Sequence, residues 1–235
     1  GDHYVVNGSK AFITSGVRAD FIVAAVRTGG EGHAGVSLLI IERDRPGYSV
    51  SKKLDKMGWC ASDTAILSFE DCRVPVANLV GMENAGFLAI MMNFGSERLY
   101  LASQCVAIAE LAYRESVKYA KERAAFGKTL TGHQVVRHKL ADMASRIAAA
   151  RALGGELAVR LHRGEQVAGL AAMTKNTATD MCSFVCDQAV QIHGGAGYTK
   201  EFPVERFFRD ARITEIYEGT TEIQNLVIAR ALLGT

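Results

Sequence analysis

Apolar residues come in short runs over the first third of the chain and recur every three or four positions afterwards. FIVAAV (residues 21–26), VSLLII (36–41) and AILSFE (65–70) have the length and β-branched content of strands. The first two are apolar enough for burial on both faces. YVVNGSKAFIT (residues 4–14) reads as two short strands around Asn7-Gly8, a dipeptide that favours tight hairpins. From Glu83 the spacing becomes helical: Phe87, Ile90, Met91 and Phe94 share one face, as do Val136, Leu140, Met143 and Ile147. Turn sequences FGKTLTGH, HRGE, HGGAGYTKEFP and EGTT then cut the region into about five helices, the first two or three long. The pattern predicts an α+β chain, with a β-rich domain over residues 1–82 and a helical bundle over residues 83–235. No internal repeat or low-complexity tract is present.

Composition narrows the class. The chain has 235 residues, 49% hydrophobic and 22% charged, which is ordinary globular content. A net charge of +2 implies neither a nucleic-acid-binding nor a membrane-binding field. No apolar stretch reaches the roughly 20 residues a membrane span needs. The five cysteines are Cys60, Cys72, Cys105, Cys182 and Cys186. Cys182 and Cys186 suit one face of a helix better than a metal knuckle, so buried thiols in a reducing compartment are expected, with no metal site. The start GDHYVV lacks methionine, so a natural N-terminal segment is expected upstream.

Several motifs carry candidate chemistry beside an ordinary structural role. QIHGGAGY (residues 191–198) follows a helical segment, so its glycines read first as a helix stop, although adjacent glycines also admit a phosphate or a ring. In YAKERAAFGKTLTGHQ (residues 119–134), Arg123 and Lys128 flank Phe126-Gly127. They are either helix C-terminal cations or a grip for a pyrophosphate and an adenine ring. Arg206, Arg209 and Arg212 repeat every third position and read as a solvated or salt-bridged face. Glu97 and Arg98, adjacent on a long helix, read as an exposed pair unless the bundle covers that turn.

Glu218, in IYEGTTEIQ, sits where glycine and two threonines interrupt a helix. It is either a carboxylate at a helix N-terminus, with Thr221 and Gln224 forming a capping box, or a general base. The apolar company of Ile216 and Tyr217 favours the second, because lost hydration raises a carboxyl's proton affinity.

Taken together, SKAFITSG, KLDKMGW, FEDCRVP, ERAAFGK, QIHGGAGY and IYEGTTEIQ resemble the acyl-CoA dehydrogenase family over nearly the whole chain. The resemblance implies the end of a β-sandwich-like or barrel-like middle domain, followed by an up-and-down four-helix bundle. It implies FAD and oxidation of an acyl-CoA to a trans-2-enoyl-CoA. Glu218 would remove the α-proton, and the β-hydride would pass to flavin N5. Tyr217 and Gly219 would lie beside the substrate. The thioester carbonyl would accept hydrogen bonds from the Glu218 backbone N–H and a flavin ribose hydroxyl.

Phe12, Ile13 and Thr14 match a strand beside the isoalloxazine ring, with phenylalanine where tryptophan is frequent. Arg123, Phe126, Gln134, Gln191, Gly194 and Gly195 match groups that reach a neighbouring subunit's FAD. Thr220 and Glu222 match the adenosine half. Some family members place the base on the first bundle helix, where Glu97 matches, and Arg98 matches a residue supporting the substrate. The resemblance also implies a homotetramer, an electron-transfer flavoprotein as partner, and a bacterial cytoplasm or mitochondrial matrix. The competing expectations are an oxidase or monooxygenase on the same fold, or a non-catalytic helical assembly module.

Overall fold

The computed structural model describes residues 1–234 and divides the chain into two compact units, Gly1–Asn93 and Phe94 onward. In the first unit, β1 (His3–Thr14), β2 (Phe21–Arg27), β3 (Val36–Glu42), β4 (Tyr48–Lys53), β5 (Thr64–Pro75) and β6 (Leu79–Val80) form two antiparallel three-stranded sheets. One is ordered β1-β5-β4 and the other β2-β3-β6. Alternate residues point inward, as a two-residue period requires: Leu39 and Ile41 from β3, and Ala65, Leu67 and Phe69 from β5, all buried. The inward phase on β5 then shifts to Cys72 and Val74, across Asp71 in a left-handed conformation (φ 47).

That shift corrects the expected hairpin at Asn7-Gly8. β1 runs straight through, pairing with β5 from His3 opposite Pro75 to Thr14 opposite Thr64. A bulge between Val6 and Gly8 absorbs the extra residue, and the Asn7 side chain accepts a hydrogen bond from the Asp71 N–H at 2.7 Å. A partner strand long enough to pair with both halves outweighs the turn preference of the dipeptide. β2 also departs from expectation, because Phe21 and Val23 lie on an exposed face.

α1 (Gly86–Glu122) starts in this unit, where the Ser37 hydroxyl accepts from the Asn84 N–H at 2.7 Å. Gly86 is required there, because a Cβ would collide with the Ser37–Leu38 backbone. α1 continues into the second unit and is followed by α2 (Gln134–His162), α3 (Ala168–His193), α4 (Val204–Ala211) and α5 (Thr221–Leu233). The core joins small residues of α1 (Ala102, Cys105, Ala109) to Leu140, Met143 and Ile147 of α2 and Met181, Cys182 and Val185 of α3. Small side chains on facing helices allow close packing. None of the five cysteines is in a disulfide, and Cys182 and Cys186 lie buried on α3 as their spacing predicts.

Three local devices end or join the helices. α3 stops at Gly194 (φ 60) and passes into a 3-10 turn, Gly194–Tyr198. α1 gives way to a two-residue hairpin, β7 (Ala124–Ala125) and β8 (Lys128–Thr129), turning through Phe126 (φ 51) and Gly127 (φ 79). Both central residues have positive φ, as such turns require, so Gly127 serves the hairpin and not a helix cap. Two of the three arginines in this row are salt-bridged: Arg209 of α4 pairs with Glu205 and, just beyond the helix, Arg212 with Glu215, while the Arg206 guanidinium lies over the Phe207 ring. No helix among the described residues is long and apolar enough to cross a membrane.

Candidate active site

The site grows from the turn between α4 and α5. After a 3-10 turn at Arg212–Glu215, the chain bends through Glu218 (φ 58) and Gly219 (φ 93). A left-handed non-glycine residue is strained, by about 1 kcal/mol or more, so the surroundings must hold it. The fully buried Gln224 donates from Nε2 to the Glu218 carbonyl at 3.1 Å and to the Gly219 carbonyl at 3.3 Å. Lys175, also fully buried, donates from Nζ to the Gly219 carbonyl at 2.9 Å. Asn176 Nδ2 reaches the Thr221 carbonyl at 3.3 Å. A Cβ on residue 219 would collide with the Gln224 amide, so glycine is needed both for its φ and for its lack of a side chain.

The expected capping box does not form, and the cap lies one residue earlier. Thr220 is the N-cap, accepting from the Ile223 N–H at 3.4 Å, which frees Gln224 to grip the turn. Glu222 lies in the first turn of α5. Its own backbone N–H, the Thr220 hydroxyl and, more weakly, Lys175 and Arg212 hold its carboxyl below the ordinary range.

The Glu218 carboxyl is pushed the other way. Partial desolvation raises its pKa, and the Glu97 carboxyl, to which it is hydrogen-bonded, raises it further; Arg98 and Lys175 oppose this. A carboxyl beside a second carboxyl is harder to ionise, which adds to the effect of desolvation on Glu218. Arg98 is not an exposed half of a surface pair. It is only 7% exposed, with its guanidinium 5.1 Å from the centre of the Phe94 ring. Burial lowers its pKa, yet Glu218 and Glu97 favour its charged form. Tyr217 packs against the bundle core, and burial raises its phenol pKa. Glu97, Arg98, Tyr217, Glu218 and Gly219 thus meet in one cluster.

Sequence reasoning missed Lys175. Its signal was a lysine on the stripe of Ala171, Ala178 and Cys182, all of which are buried. Desolvation lowers its pKa, while Cys105, Glu215 and Glu218 support its charge. Glu215 itself is held by the Ser183 hydroxyl and by Arg212 Nη1.

The remaining predicted residues lie elsewhere. In the first unit, a bulge between Lys10 and Ile13 places Phe12 at φ 60 and 78% exposed. Ile13 packs on the sheet core, and Thr14 is exposed at the end of β1. In the second unit, Arg123 is exposed just before the hairpin, with Phe126 at its tip 96% exposed. Gln134 begins α2 and Gln191 lies in the last turn of α3, both exposed. Space is open where a Cβ would stand at Gly194 and Gly195. An exposed guanidinium, an unpacked aromatic face and bare glycine backbone are groups that fit a dinucleotide. Among the described residues no cluster of His, Cys, Asp or Glu suits a metal ion.

Comparison with known proteins identifies the family of both units. The acyl-CoA dehydrogenase middle domain matches residues 1–72, and the acyl-CoA dehydrogenase C-terminal domain matches residues 84–233. Acryloyl-CoA reductase (NADH) of Anaerotignum propionicum is 46% identical over 99% of this chain and 59% of its own length. The crystal structure of a probable acyl-CoA dehydrogenase from Mycobacterium abscessus superposes with a TM-score of 0.98 at 53% identity, covering 99% of this chain and 62% of that one. A structure titled for the electron transferring flavoprotein of Acidaminococcus fermentans superposes with a TM-score of 0.96 at 44% identity, covering 100% of this chain and 62% of that one. The chain therefore spans about 60% of the length of such relatives. It belongs to the acyl-CoA dehydrogenase family.

Proposed function

We propose that the full-length protein oxidises an acyl-CoA thioester between its α and β carbons, with Glu218 as the base. The observation that carries this reading is the Glu218 turn: a carboxyl in a strained, clamped conformation, with a raised pKa and a second carboxyl against it. A base with a pKa raised toward neutrality accepts a carbon-bound proton more readily than an ordinary carboxylate. Glu218 takes the pro-R α-proton while its backbone N–H donates to the thioester carbonyl, stabilising the developing enolate. Arg98, with Tyr217 and Gly219, lines the substrate side. FAD, when bound, supplies the acceptor for the β-hydride.

Phe12, Ile13 and Thr14 would flank the flavin ring. Arg123, Phe126, Gln134, Gln191, Gly194 and Gly195 would hold a neighbouring subunit's FAD, and Thr220 and Glu222 its adenosine half. A site shared with a neighbouring subunit requires a homo-oligomer, which this reading takes to be a tetramer. The likeness to the Acidaminococcus structure supports an electron-transfer flavoprotein as the acceptor of the reducing equivalents. Free thiols suit a reducing compartment, either a bacterial cytoplasm or a mitochondrial matrix.

Anaerobic mixing of the full-length, flavin-loaded protein with a panel of acyl-CoAs tests the reading. The wild type should bleach, Glu218→Gln should bind FAD and acyl-CoA without bleaching, and Glu97→Gln should still bleach. A dead Glu97 variant beside an active Glu218 variant would move the base to α1.

A further inference from the structure

We propose that Lys175, assisted by Gln224, is a positioning residue for the reaction: it clamps the Gly219 carbonyl and so fixes the left-handed turn that aims Glu218. The proposal rests on Glu218 being the base. A lysine is seldom fully buried, and this one is spent on a single backbone carbonyl, 2.9 Å away and one residue past the base. The same carbonyl takes a second hydrogen bond, at 3.3 Å, from the buried Gln224. Two donors from two helices, α3 and α5, thereby converge on one strained peptide. Without them the Gly219 carbonyl would be an unsatisfied acceptor, and the Glu218–Gly219 turn could relax toward ordinary backbone angles. Both the carboxyl and the backbone N–H of Glu218 would move with it.

The ammonium has a second consequence through its charge. The groups facing the pair are Glu97, Arg98 and Cys105 from α1, Cys182 from α3, Glu215 and Tyr217 from the turn, and Glu222 from α5. Among them Lys175 and Arg98 favour ionised Glu218, and Glu97 opposes it. Removing the lysine charge therefore raises the proton affinity of Glu218. Activity that needs the ionised base is then lost at a higher pH.

The test compares Lys175→Met, Lys175→Arg and Gln224→Met with the wild type and Glu218→Gln, all full-length and flavin-loaded. Anaerobic flavin reduction by acyl-CoA should slow about 100-fold in both methionine variants, with acyl-CoA binding little changed, because geometry and not affinity is lost. Only Lys175→Met should move the acid limb of the rate to higher pH, and Lys175→Arg should return it toward the wild type. Amide hydrogen exchange over residues 216–221 should accelerate in both methionine variants. Wild-type reduction rate and an unmoved acid limb in Lys175→Met would overturn the proposal, as would unchanged exchange over the turn. Should Lys175→Met not fold, Gln224→Met carries the rate and exchange arms. If no acyl-CoA reduces the wild type, the reaction reading fails by itself, and the exchange measurement alone decides whether Lys175 holds the turn.

Discussion

Two glutamates, one in each compact unit, show how surroundings set the behaviour of the same carboxyl. Glu42, at the end of β3, is surrounded by donors. Arg45 Nη2 lies 2.9 Å from Oε1, the Arg45 Nε–H also donates, and Asn78 Nδ2 lies 3.0 Å from each oxygen. Those donors, Arg45 foremost, pull its pKa down to about 2. Glu218 has partial desolvation and another carboxyl, Glu97, and its pKa goes up. Hydrogen-bond donors stabilise the ion and leave Glu42 inert, a staple between β3 and the segment before β6. Partial desolvation, a neighbouring carboxyl and a strained backbone leave Glu218 readier to accept a proton, at a cost in stability that the clamping side chains offset. An acid built for structure and an acid built for chemistry thus differ in partners more than in exposure.

The largest effect should come from removing the proton acceptor. Glu218→Gln should lower the rate of flavin reduction by about a thousandfold, within the range that general bases contribute, while the thermal midpoint stays close to that of the wild type. Met143→Ala, in the bundle core, supplies the opposite outcome. Cavity formation there should destabilise the fold by about 3 kcal/mol in denaturant titration, with the acid limb of the reaction unmoved.

Gly219→Ala falls between the two. A side chain at φ 93 that strikes the Gln224 amide should cost about 1–3 kcal/mol and slow reduction as well, because the strain sits on the turn carrying the base. The smallest effect belongs to Glu42. Its folded pKa is depressed, so it adds stability above the ordinary carboxylate pKa, and that stability is lost as pH falls toward about 2. Glu42→Gln should therefore flatten the acid part of the stability curve, seen as a weaker pH dependence of the thermal midpoint over that window, without touching flavin reduction.

Much of this was legible in the sequence. Short apolar runs against helical spacing marked strands and helices, and the stripe of Leu140, Met143 and Ile147 is buried as its period implied. The bend at Glu218 followed from glycine and threonine chemistry. The misses have physical reasons. Asn7-Gly8 resembles a hairpin because local preference cannot see that a twelve-residue partner strand, β5, pairs with both sides of it. Thr221 looked like the cap because the two threonines are chemically alike, and only the backbone angles select Thr220. Arg98 read as half of an exposed pair unless the bundle covers that turn, and Lys175 was not singled out at all. Their burial is a tertiary fact, set by which faces of α1 and α3 turn inward.

The central claim is that Glu218 is a base whose pKa is raised by partial desolvation and by Glu97. The most direct test is the pH dependence of anaerobic flavin reduction in the wild type and in Glu97→Gln, measured on the full-length protein by stopped flow. The wild-type acid limb should lie above the ordinary glutamate range. In Glu97→Gln it should move to lower pH with a substantial rate retained, because the opposing carboxyl is gone while Arg98 and Lys175 remain. An acid limb that stays where it was, or a Glu97 variant that no longer reduces flavin at all, would contradict the account.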